Sequence, residues 1–287
     1  MHWLVDPLQN AFMVRALLAS ALIGLTCSVV GVYVVLRNLA FIGDGLAHAS
    51  FAGIVIAYIL KINLYVGGLI FAIVTALGIG VVSRRSNVSF DTSIGVLFTA
   101  AFALGVLLMS RARTYTVDLQ DFLFGKVLGV DALDIILVAS LALAVLALIA
   151  LLYKELLFAS FDPVSAQASG LPTAVLDAIL LVALAVTIIV SLQAAGIVLV
   201  AALLVTPAAT AFQLTNRFGR MMAYAAAFGL MSSVVGLYAS YYLDAASGST
   251  IVLCATAFFF IAVAFSPKRR SLLTAVMEAR RNALQAR

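Results

Sequence analysis

Apolar residues run along this chain in long unbroken blocks, and polar residues are confined to the gaps between them. Nine blocks stand out, at about 11–36, 42–60, 64–82, 91–110, 132–153, 173–191, 194–214, 219–243 and 249–265. Each approaches or exceeds the ~20 residues that carry a helix across a hydrocarbon core of about 30 Å. The blocks are continuous rather than alternating, which predicts helices and not the strands of a closed barrel. Lipid admits no third way of satisfying the backbone. The least distinct boundary falls near Gln193, where a few residues divide the sixth and seventh spans, and Pro207 interrupts the seventh. Eight spans with one broken element is the competing count. The predicted fold is all-α, a polytopic transmembrane helix bundle of eight or nine spans with a short cytoplasmic helix, and no internal repeat.

Composition agrees with this pattern. Of 287 residues, 65% are apolar and 10% charged, against roughly 25% charged in a soluble domain. Such a chain cannot cover a water-facing surface. The first ten residues lack a basic segment, and the apolar stretch that follows is too long for the core of a cleaved signal, so a permanent first helix is expected. Cys27 and Cys254 both fall inside apolar blocks and no CxxC pair exists, which predicts small buried thiols and no thiolate metal or redox motif.

The net charge of +5 does not point to nucleic acid, because the basic residues sit in short loops and the tail. On one side lie Arg37, Arg84, Arg85, Lys154, Arg217, Arg220 and the tail run Lys268, Arg269 and Arg270. The other side has Arg15, Lys61, Arg111, Arg113 and Lys126, with Asp118, Asp121, Asp131 and Asp134 nearby. The richer side is expected to be cytoplasmic, with the N-terminus outside and the C-terminus inside. A transmembrane domain over 1–267 is then followed by a basic cytoplasmic tail, 268–287, in which 271–287 reads equally as an amphipathic surface helix or a solvated tail.

Two connections are long enough to form structure. On the outside, 121–129 (Asp-Phe-Leu-Phe-Gly-Lys-Val-Leu-Gly) suggests a short interfacial or re-entrant helix. On the inside, 154–172 contains Phe161-Asp-Pro-Val-Ser-Ala-Gln-Ala-Ser-Gly-Leu-Pro172. Asp162 suits an N-cap, Pro163 the first helical position and Gly170 a left-handed stop. Pro172 forbids continuation. About two turns of helix are predicted outside the membrane, running through Val164, Ser165, Ala166, Gln167 and Ala168, with small exposed side chains at Ser165, Ala166, Ala168 and Ser169. A protein-docking element and a capped linker both fit these signals.

Ionisable residues inside a membrane are costly, so each is a functional candidate. His2, Glu155 and Glu278 lie outside the spans, and Asp177, about one turn into the sixth span, is accounted for by reaching the interface or favouring the helix start. Asp44 and His48 remain. At i, i+4 they share one helix face, about 6 Å apart along the axis. Gly45, Ala47, Ala49, Ala52 and Gly53 are small, so another helix or a symmetry mate can approach closely. Two such pairs across a dimer axis would supply two carboxylates and two imidazoles. Oxygen and nitrogen donors suit manganese, zinc or ferrous iron better than cuprous copper. A proton-relay pair, and a packing role in which Asp44 favours the helix start, fit the same spacing.

Three separated motifs resemble one family. Tyr33-Val-Val-Leu-Arg-Asn-Leu-Ala-Phe-Ile-Gly-Asp-Gly-Leu-Ala-His-Ala-Ser-Phe-Ala-Gly53 is similar to the signature of the ABC-3 permeases, the membrane subunits of zinc, manganese and iron ABC importers. The 161–172 segment resembles their cytoplasmic coupling segment, and Gly196-Ile-Val-Leu-Val-Ala-Ala-Leu-Leu-Val-Thr-Pro-Ala-Ala-Thr-Ala211 their late membrane motif. The likeness covers roughly 8–266. It implies a bacterial inner-membrane homodimer, two copies of a cytoplasmic ATPase subunit that bind ATP, and an extracytoplasmic solute-binding protein that delivers the metal. It implies no permanently bound cofactor: the manganese, zinc or iron is cargo. It places Asp44 and His48 on the metal pathway and the 162–170 helix in a groove of the ATPase. The chain has no GxxxxGK[ST] loop of its own, so hydrolysis is assigned to the partner. A proton-coupled secondary metal transporter, with Asp44 and His48 as the proton-carrying pair, is the alternative.

Overall fold

The computed structural model describes residues 6–86, 88–111 and 129–266. The 121–129 segment falls almost entirely outside the described residues, as do His2 and the basic tail. The described residues form eleven α-helices: α1 Ala11–Leu36, α2 Ile42–Leu60, α3 Leu64–Ser86, α4 Phe90–Arg111, α5 Ala132–Leu151, α6 Tyr153–Phe161, α7 Pro163–Ala168, α8 Thr173–Ala195, α9 Ile197–Leu214, α10 Phe218–Leu243 and α11 Ser247–Ala264. All but α6 and α7 are long and apolar enough to cross a membrane. The chain is a multi-pass membrane protein, with nine such helices among the described residues.

The division between the sixth and seventh spans is a single residue, Gly196, three positions beyond the expected break at Gln193. Its φ of 80° and ψ of 164° lie in a region essentially reserved for glycine. Gln193 stays inside α8, because a lone amide can point sideways without breaking a helix. Pro207 lies within α9 without ending it. A proline withholds the N–H that the carbonyl four residues back would accept, here that of Leu203. The Ser28 hydroxyl of α1, which donates to the Gly24 carbonyl of its own helix at 2.5 Å, stands 3.5 Å from this carbonyl.

The spans divide into an inner and an outer set. Of the most apolar stretch of each helix, 72% is buried in α1 and 67% in both α2 and α8, against 22% in α4 and α5, so the latter two lie at the outside of the bundle of described helices. Close helix approach depends on missing side chains. A Cβ on Gly229 of α10 would stand 2.4 Å from the Gly24 carbonyl oxygen of α1, and one on Gly53 of α2 would stand 2.2 Å from the Gly67 carbonyl oxygen of α3. The small residues expected to admit a neighbouring helix therefore serve in part within the chain. Gly53 admits α3, while Gly45 and Ala52 lie against Ile94 and Gly105 of α4.

The connection between α1 and α2 is a rigid elbow. Asn38 adopts a left-handed φ of 56°, the Leu39 amide donates to the Val34 carbonyl at 2.9 Å and the Asn38 amide to Val35 at 3.4 Å. This double closure is the Schellman pattern, with asparagine in the position usually held by glycine. Leu39 is buried in the core, and the Ile42 amide donates back to its carbonyl at 2.9 Å. The elbow hands the chain directly to the turn that carries Asp44.

Candidate functional site

Asp44 is the third residue of α2, where a carboxylate interacts favourably with the helix dipole. His48 lies one turn further on. Its Nδ1 is 2.9 Å from the Asp44 main-chain oxygen and 3.3 Å from the Asp44 Oδ1. Donation to that carbonyl places the proton on Nδ1 and leaves the lone pair on Nε2, the tautomer that suits a metal ligand. The imidazole is held sideways by α4, with ring centroids 5.7 Å from Phe102 and 6.2 Å from Phe98. The Asp44 side chain keeps 52% of its surface exposed and His48 29%. The pair is thus oriented but open. Among the described residues, no group of three or more His, Cys, Asp or Glu could hold a metal ion, so one copy of the chain offers two protein ligands here. A closed structural zinc site takes four.

The second predicted feature, the short helix, is α7. The Ser165 amide donates to Asp162 Oδ1 at 2.9 Å, and Pro163 begins the helix. Gly170 has φ 84°. The Gly170 amide donates to Gln167 at 3.0 Å and the Leu171 amide to Ala166 at 3.1 Å, a second Schellman closure. The Asp162 carboxyl is held below its ordinary range by the Ser165 side chain and then by the Ser165 amide. Two details differ from expectation. Ala166 is fully buried rather than exposed, because α7 lies against α6 and α8 and that face of the turn is covered. The stretch before it is also helical, since the fifth span ends at Leu151 and α6 follows after one residue. The exposed surface of α7 is set by Ser165, Gln167, Ala168 and the apolar tip Val164, which is 78% exposed.

A family model described as the ABC 3 transport family matches residues 9–266. The chain belongs to the ABC 3 transport family. Its relatives include the manganese transport system membrane protein MntC of Halalkalibacterium halodurans, 44% identical over 91% of this chain and 90% of that protein. A Haemophilus influenzae protein named "Probable iron transport system membrane protein" is 37% identical over 93% of this chain and 98% of its own length. Among solved structures, PsaBC from Streptococcus pneumoniae in complex with Fab matches with a TM-score of 0.82 and 34% identity, covering 94% of this chain and 98% of that one.

This ABC 3 family permease has a further polar constellation that sequence reasoning did not assemble. Asp177 of α8 bonds Arg37 at the end of α1 through one carboxylate oxygen and Arg84 of α3 through the other. Arg37 Nε also donates to the Ser160 hydroxyl of α6 at 2.9 Å, and Arg84 donates to the Thr173 carbonyl at 2.9 Å. An aromatic group adjoins it, in which Phe218 of α10 meets Tyr33, Tyr153 and Phe161 at centroid distances of 5.4, 5.5 and 6.3 Å. The available signal was that Arg37, Arg84 and Asp177 all fall at span ends assigned to one side of the membrane. Nothing local links them.

Proposed function

We propose that the chain is the membrane-spanning subunit of a bacterial ATP-driven importer of divalent transition-metal ions, with manganese the first candidate cargo. It works as a homodimer in the cytoplasmic membrane, N-terminus outside and C-terminus inside. The observation that carries the reading is the Asp44–His48 pair, one carboxylate and one imidazole with its Nε2 lone pair uncommitted, in a family whose relatives include proteins named for manganese and iron transport. Oxygen and nitrogen donors suit all these ions, and no residue here favours manganese over zinc.

The fit to transport lies in the incompleteness of the site. Tight multidentate ligation would trap an ion, whereas few protein ligands and exchangeable positions let it leave. Two copies of the chain would bring two carboxylates and two imidazoles to a shared pathway. An extracytoplasmic solute-binding protein delivers the ion to the outer face, around the 111–131 loop. Two copies of a cytoplasmic ATPase subunit seat the 162–170 segment in a groove, and ATP-driven closure moves it. Asp162, Pro163 and Gly170 fix the shape of that segment, and Val164, Ser165, Gln167 and Ala168 are its contact surface; Ala166 fastens it to the bundle.

The test is uptake of radiolabelled manganese by vesicles containing the chain, its cognate ATPase and its binding protein. Uptake is expected to require ATP and to survive a protonophore. Collapse with a protonophore and indifference to ATP would replace this reading with a proton-coupled transporter. Asp44→Asn and His48→Ala are each expected to stop uptake in a complex that still assembles; unimpaired uptake in both would remove the pair from the pathway. Competition by unlabelled zinc and ferrous iron ranks the metals.

A further inference from the structure

We propose that Arg37, Asp177 and Ser160 form the joint through which movement of the docking segment reaches the metal-handling turn of α2, with Arg84 as its outer brace. The inference rests on the proposed importer function. It starts from the way α7 is bracketed. Ser160 stands at the end of α6 just before the docking segment, Thr173 begins α8 just after it, and Asp177 lies one turn further into α8. Both flanks are held by arginines from other helices, Ser160 and Asp177 by Arg37 and Thr173 and Asp177 by Arg84. Movement of α7 relative to the bundle therefore has to act on Arg37.

Arg37 is also the last residue before the elbow that leads to Asp44. That elbow has little freedom, because Asn38 is fixed in a left-handed turn by two main-chain bonds and Leu39 is anchored in the core. A rigid connection passes displacement on, where a flexible loop would absorb it. The enclosure of the joint points the same way. The Arg37 side chain is only 10% exposed and that of Asp177 18%, so their attraction is less screened by water than that of a surface pair.

One donor remains unused. Arg37 Nη2 is buried and has no hydrogen-bond partner among the described residues, and neither has the buried hydroxyl of Tyr33, one turn earlier on the same helix. A guanidinium with a free buried donor has somewhere to gain a bond when its surroundings shift. A two-state element needs that property, since each arrangement must offer contacts the other lacks.

The experiment measures manganese uptake per ATP hydrolysed in vesicles containing the full complex, for wild type, Asp177→Asn, Asp177→Glu, Arg37→Gln and the double variant Arg37→Gln/Asp177→Asn. In Asp177→Asn and Arg37→Gln, hydrolysis is expected to persist while uptake per ATP falls about tenfold, the size of an ordinary coupling between sites. Asp177→Glu is expected to restore most of the ratio, and the double variant to be no worse than the poorer single variant. A merely structural role would lower assembly or thermal stability and scale uptake and hydrolysis together, leaving the ratio unchanged. That result would overturn the joint. So would independent, multiplicative losses in the double variant. If a variant fails to assemble, Arg84→Gln at the more exposed partner gives the same ratio at smaller amplitude, and a wild-type ratio there counts against the network. Failure of the importer reading looks different, since wild type itself would then show no ATP-dependent uptake.

Discussion

Asp44, in the first turn of α2, and Asp177, one turn into α8, are both aspartates near the start of inner spans, and the chain treats them oppositely. Asp177 has an arginine on each carboxylate oxygen and is mostly buried. Among the described residues, Asp44 has no cationic partner other than a histidine that is charged only when protonated, and half its side chain is open. A carboxylate gripped by two guanidiniums is committed. One beside an imidazole, half open to its surroundings, keeps lone pairs available. The difference teaches that charge inside this bundle is either neutralised at once, to hold helices together, or left open at the point where a cation would be welcome.

The largest expected effect comes from closing the open site. Asp44→Asn and His48→Ala each remove a proposed ligand, so manganese uptake should fall by about a hundredfold or more. With Asp44→Asn the folded chain should lose little, since substitutions at exposed positions change stability by about 0.5 kcal/mol or less, whereas His48→Ala also gives up the ring contacts with Phe98 and Phe102. Vesicle uptake and the melting temperature of the detergent-solubilised protein check the two halves. A large loss of stability would mean that Asp44 resembles Asp177 after all.

Asp177→Asn inverts the pattern. It leaves Arg37 and Arg84 facing each other with no counter-charge, and the enclosed Arg37 suffers most. Breaking a buried pair from one side costs about 3–5 kcal/mol when burial is complete; with part of this cluster in reach of water, about 2–3 kcal/mol is expected, read as a lower melting temperature. A finer comparison lies between the two arginines. Arg37→Gln should destabilise more than Arg84→Gln, whose side chain is 34% exposed and whose loss should cost about 1 kcal/mol or less. Equal losses would show that burial does not grade the cluster.

The same contrast explains what could be read from sequence. The spans were legible because each is a long apolar run, and Asp44–His48 because i, i+4 is a local relation. The ends of α7 were legible for the same reason, since an Asp-Pro start and a Gly stop act on their own neighbours. Asp177 was not, because its partners lie 140 and 93 residues away and only the packing of α1, α3 and α8 brings them together. Ala166 was misplaced on the exposed side because an alanine on a two-turn helix carries no mark of which face the bundle covers. The break falls at Gly196 and not at Gln193 because the turn needs the one residue whose missing Cβ permits its backbone angles.

A third aspartate gives the smallest effect and the sharpest sign. Among the described residues Asp162 is neither paired with a cation nor buried, and its carboxylate caps α7, the proposed docking segment. The Ser165 side chain and amide hold its pKa below the ordinary value of 3.8. A carboxyl whose pKa is lowered by folding stabilises the folded form above its unfolded value, and that contribution disappears only as pH falls through the lowered one. Asp162 should therefore add no pH dependence between about pH 5 and 8, and its cap should weaken only in strong acid. Asp162→Asn, which keeps an oxygen that can accept from the Ser165 amide, should retain the ATPase through that range as wild type does. Asp162→Ala should retain less of it at every pH. Co-purification of the ATPase across the range measures this directly. If Asp162→Asn retains as little of the ATPase as Asp162→Ala at neutral pH, the carboxylate meets the partner as a charge, and Asp162 belongs with Asp177 rather than among the caps.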